Sequence, residues 1–112
     1  MSLSYNDNTL KYDWVVDTYY TPSNDDEIKI FLDVINSFDF TIKVSTAFMW
    51  AIKSFERGES YVQRQGRHCM FWFETENQAI QFNEKIINSL YKHKRIYLTC
   101  ELFNIITRKL SN

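Results

Sequence analysis

A chain of 112 residues with a formal net charge of −1, 45% hydrophobic and 24% charged, is sized and composed for one packed domain. It holds no run of about 18 apolar residues, which excludes a spanning helix, and only two glycines and one proline, which argues against a disordered or linker-rich chain. The charge is uneven: residues 1–40 hold eight acids against Lys11 and Lys29, a net −6, whereas residues 41–112 hold eleven bases against six acids, a net +5.

Residues 1–10, "MSLSYNDNTL", are polar and read as a flexible N-terminal segment; residues 11–112 read as a single α+β domain. "KYDWVVDTYY" at 11–20 is rich in aromatic and β-branched residues and predicts a strand that Thr21-Pro22 ends. Ser23 then fits a helix N-cap. Asp25, Asp26 and Glu27 suit the positive end of the helix dipole, and Ile28, Phe31, Leu32, Ile35 and Phe38 recur at helical spacing. A helix is predicted over 25–38.

From Phe40 the period becomes two. Phe40, Ile42 and Val44, then Phe48, Trp50 and Ile52, alternate with Thr41, Lys43 and Ser45, as in a strand. Residues 47–55 stay open between strand and helix, because Phe48, Ala51, Ile52 and Phe55 also fit a helix face. "ERGE" at 56–59 reads as a turn. "SYVQRQGRHCMFWFE" returns as a strand with Gly66 as a bulge, so the pair is expected to form a long antiparallel hairpin. Thr75 to Gln78 fits a capping box. Ala79, Ile80, Phe82, Ile86, Ile87, Leu90 and Tyr91 supply the apolar face of the next helix, and Lys92, His93, Lys94 and Arg95 close it with cations. "RIYLT" at 95–99 predicts a strand. Residues 100–110 either extend it or form a short final helix. No internal repeat or low-complexity segment interrupts this order.

Strand, helix, strand, strand, helix, strand is the split βαβ pattern of a ferredoxin-like fold: a four-stranded antiparallel sheet with two helices on one face, and an optional extra helix at the C-terminus. Within it, "MFWFETENQAIQFNEKI" resembles the third strand and second helix of an RNA-recognition motif, with Phe73 at the aromatic strand end and Ala79 at the helix opening. The resemblance covers less than a fifth of the chain and implies the fold alone. In the family's strand signature, Gly66 and Arg67 fall where a base and a glycine are wanted, and two stacking rings are replaced by His68 and Met70.

Strand alternation divides the "RHCMFWFE" run. Phe73 leads into a helix that must pack on the sheet, so Cys69, Phe71 and Phe73 are expected in the core. His68, Met70 and Trp72 then lie on the opposite face, joined by Lys43 and Ser45, with Arg64 and Arg67 nearby. Nineteen aromatic residues, 17% of the chain, are many for so small an interior, which favours a role in binding. The face Lys43, Arg64, Arg67, His68, Met70 and Trp72 therefore has three readings: a protein interface including self-association as a homodimer, a platform stacking single-stranded nucleic acid, RNA above all, or a second small core under the chain's own terminal segment. A protein partner or a second copy is the leading reading, and single-stranded nucleic acid the alternative.

An enzyme is not expected. His68 and Cys69 point to opposite faces of a strand and cannot pair as base and nucleophile. Two His and two Cys lack zinc-site spacing, and no glycine-rich phosphate loop exists. Asp13 and Asp17, four apart, read as an exposed edge. No catalytic residue, metal or cofactor is assigned. With no export signal, Cys69 and Cys100 are expected as reduced thiols in the cytoplasm. The abundance of Asn, Ile, Lys, Phe and Tyr matches AT-rich coding, as in a phage or low-GC bacterium.

Overall fold

A computed structural model describes residues 3–4, 12–20, 22, 25–58, 69–94 and 100–104. In chain order these form β1 (Leu3–Ser4), β2 (Trp14–Asp17), α1 (Asp25–Asn36), β3 (Ile42–Val44), α2 (Thr46–Glu56), β4 (Met70–Phe73), α3 (Glu76–Lys94) and β5 (Glu101–Asn104). The protein is α+β. Its strands make one open sheet in the order β1-β3-β4-β2-β5. The four strands β3, β4, β2 and β5 pair antiparallel. The two-residue β1, an element the sequence reading left out, adds parallel to β3.

The core forms on one face of that sheet, and a single ring shows why. Phe71 of β4 is fully buried. Its ring lies 5.8 Å from Phe31 of α1, 5.1 Å from Phe48 of α2 and 4.7 Å from Phe82 of α3. The three helices among the described residues therefore share the Phe71 face. Two residues on, Phe73 is also buried and meets Phe82 at 5.2 Å. Burying each such ring stabilises the fold by roughly 1.5–3 kcal/mol. Ile28, Phe31, Val34 and Ile35 of α1, and Ala79, Phe82, Ile86 and Leu90 of α3, supply the matching helical stripes.

The helix ends follow from local chemistry. At the start of α3 the Gln78 N–H donates to Thr75 Oγ1 at 3.2 Å, and the Thr75 and Glu74 N–H groups donate to Gln78 Oε1, as the capping box requires. α2 closes where Gly58 takes φ +68°, a left-handed conformation that a glycine adopts without strain.

Residues 47–55 depart from the strand alternation that starts at Phe40. They belong to α2, so the expected long hairpin is replaced by strand, helix, strand, and the sheet carries three helices among the described residues rather than two. Burial gives the reason. A strand would put Phe48, Trp50 and Ile52 on one face, but Phe48, Ala51 and Ile52 are buried while Trp50 is 52% exposed. The 3.6-residue period is the one that buries the rings. β5 begins at Glu101, so the first part of the tail takes the strand alternative. The Ser23 cap, the Gly66 bulge, the strand over 95–99 and the remainder of the tail lie outside the described residues. Among the described residues, no helix is long and apolar enough to cross a membrane.

Candidate interaction face

Register fixes what stands opposite the helices. Lys43 of β3 pairs with Trp72 of β4, Trp72 with Val15 of β2, and Val15 with Phe103 of β5. Cross-strand partners share a face, and Trp72 alternates with the buried Phe71 and Phe73. Lys43, Trp72, Val15 and Phe103 thus form one row across the outer face. Met70, Asp17 and Glu101 form the next. Ile42 and Val44, flanking Lys43, are buried on the helix side, as the alternation predicts.

The first row is lysine, indole, valine and phenyl. The Lys43 ammonium sits 5.6 Å from the Trp72 ring centre, a cation–π contact. Lys43, Trp72 and Phe103 are half-buried, and Val15, between the two rings, is fully buried. Ser45, just past β3, is tied to β4: its N–H donates to the Met70 carbonyl at 3.0 Å, and the Met70 N–H donates to Ser45 Oγ at 3.2 Å.

The second row is acidic. Asp17 and Glu101 are directly opposed on β2 and β5. Asp17 is 6% exposed and stands on a central strand, so it is not the exposed edge the sequence suggests. Its Oδ1 accepts the Tyr19 N–H at 3.0 Å, and the Tyr19 hydroxyl donates to the Glu101 carboxylate. Tyr19 holds φ +50°, rare for a residue with a side chain. The neighbouring Thr18 hydroxyl shares its one proton between the Cys69 and Tyr20 carbonyls, at 3.0 and 3.1 Å. That clamp fixes the end of β2 against β4.

Both cysteines are free. Cys69 is buried. The Cys100 thiol is pushed up to about 11, first by burial and second by the negative charge of Asp17. Glu27, in the acidic first turn of α1, is buried and accepts the Tyr20 hydroxyl. Among the described residues, no group of three or more His, Cys, Asp or Glu is placed to hold a metal.

Of the six residues the sequence singles out, Lys43, Met70 and Trp72 come together on one face. Arg64, Arg67 and His68 lie outside the described residues. Val15, Asp17, Glu101 and Phe103 complete the face, and sequence reasoning missed them. Their alternation on β2 and β5 is visible, but the pairing of these strands with β4 is not. No protein-family model, no curated protein and no solved structure matches this chain.

Proposed function

We propose that this chain is a small, non-enzymatic protein-interaction domain that works through the outer face of its sheet. The observation that carries the reading is the Lys43–Trp72–Val15–Phe103 row, which lies on the face opposite all three described helices. Tryptophan, methionine and tyrosine are residues that interfaces favour. The strand order β3-β4-β2-β5, with α1 and α3 between strands, supports a ferredoxin-like reading in which α2 is an added helix.

Single-stranded nucleic acid is the weaker reading. A base-stacking platform needs cations beside its rings to meet phosphates. Here Lys43 is matched by two carboxylates, Asp17 and Glu101, on the adjoining row. A protein partner meets both signs of charge more readily than a polyanion does.

The test replaces Trp72 and Met70 with serine and follows association and thermal unfolding together. The reading expects association to be lost while the fold stays cooperative. A loss of about 3–5 kcal/mol, the cost of emptying a core ring, would instead make this face a second small core. Steeply salt-dependent binding of single-stranded RNA would move the assignment to nucleic acid.

A further inference from the structure

We infer that the outward face of α2 binds a single-stranded polynucleotide, with Trp50 stacking on a base and Lys53 and Arg57 meeting phosphates. The site is separate from the outer face of the sheet, because α2 packs on the helix side through Phe48, Ala51 and Ile52. At 3.6 residues per turn, Thr46, Trp50, Lys53 and Arg57 fall within an arc of about 60° on the opposite side of this helix. Arg57, the C-cap, keeps helical φ and ψ of −82° and −7°, so it stays in that line. All four residues are exposed. Trp50, at 52%, is the only exposed large hydrophobic residue of α2.

Chemistry chooses the occupant. A base-stacking platform needs a ring with cations beside it, which the sheet face lacks because Asp17 and Glu101 offset Lys43. The α2 arc meets that need with one flat ring, two cations and no carboxylate. Glu56, the one acid of α2, lies about 60° beyond Lys53. Lys53 stands roughly 4.5 Å along the axis from Trp50, and Arg57 roughly 10 Å, the length of about three stacked nucleotides. The exposed carboxylates of α1, Asp25, Asp26 and Asp33, repel a polyanion and confine it to α2. A protein interface would centre on contiguous apolar surface, and a bilayer would need more than one ring to insert. Trp50 has no exposed apolar neighbour on this arc.

The experiment titrates the full chain into fluorescein-labelled oligo(U) and oligo(dU) of about 12 nucleotides and follows anisotropy from low to high salt. Trp50→Ala should weaken binding about tenfold or more. Lys53→Gln combined with Arg57→Gln should flatten the slope of log affinity against log salt by about 1.4, the release expected from two phosphate contacts. Trp72→Ser should leave binding unchanged. The ratio of the two affinities tells RNA from DNA through the 2′-hydroxyl. Thermal melting checks that each variant folds, and the paired glutamine changes alter only exposed side chains, so they test the site even where Trp50→Ala does not fold. No binding of either oligonucleotide would overturn the proposal, as would binding indifferent to all three α2 changes. Both failures leave the sheet-face reading as it stands. Binding lost in Trp72→Ser but kept in Trp50→Ala would overturn the α2 site too, and would turn the sheet face toward nucleic acid.

Discussion

Lys43 and Trp72 face each other across neighbouring antiparallel strands, and the ammonium of one rests 5.6 Å from the ring centre of the other. The pair joins the two strands on the face opposite the helices. It also keeps a large apolar ring half-covered by a charge. An aliphatic lysine stem covers apolar surface while its head stays in water.

Lys43→Ala should remove that cover. We expect a stability loss of about 0.5–1 kcal/mol, the range for a partly exposed cation–π contact. Urea unfolding measures it. An unchanged midpoint would mean the contact contributes nothing measurable.

The helical reading of α2 makes a sharp contrast between two aromatic neighbours. Phe48 is fully buried between Phe31 and Phe71, whereas Trp50 is 52% exposed. Phe48→Ala should cost about 3–5 kcal/mol, and Trp50→Ala under about 1 kcal/mol. Similar losses at both sites would favour the strand that the alternation from Phe40 suggests.

Cys100 should be a poor nucleophile. Raising its pKa from 9.0 to about 11 lowers the thiolate fraction near neutral pH by roughly a hundredfold. Alkylation of the native protein at pH 8 should therefore be slow, and become fast in denaturant. The sign of the linked stability effect follows. The folded state holds this proton more tightly, so its contribution is complete below pH 9 and is lost as pH rises toward 11. In Cys100→Ser the alkaline decline should be shallower; an identical decline in both proteins would refute the linkage.

Tyr19 sits at φ +50° while its hydroxyl reaches Glu101. Tyr19→Gly relieves the backbone and loses an exposed hydrogen bond, two terms of about 1 kcal/mol that oppose each other. Its net effect should be small. Tyr19→Val keeps the strain, adds a branched Cβ and loses the bond. It should be less stable than Tyr19→Gly by roughly 1–3 kcal/mol. Equal melting temperatures for the two variants would show that the turn relaxes.

Local pattern by itself determined the elements whose period is unambiguous. The helical spacing of Ile28, Phe31 and Ile35 made α1, the Thr75–Gln78 box opened α3, and the alternation of Cys69, Phe71 and Phe73 with Met70 and Trp72 assigned the two faces of β4. Each is decided within a few residues of chain, by one helical turn or one pleat. Residues 47–55 satisfied both periods, so only packing chose between them: α2 forms because Phe48 fills the space between Phe31 and Phe71 while Trp50 turns outward. Pairing was equally a tertiary decision. Nothing near Asp17 in the chain places Glu101 opposite it, or puts Val15 between Trp72 and Phe103. Those contacts join residues far apart in sequence, and register follows from the whole sheet settling its rings into one core. The sequence could name Lys43, Met70 and Trp72 as a face; the acidic half of that face exists only because β2 lies between β4 and β5.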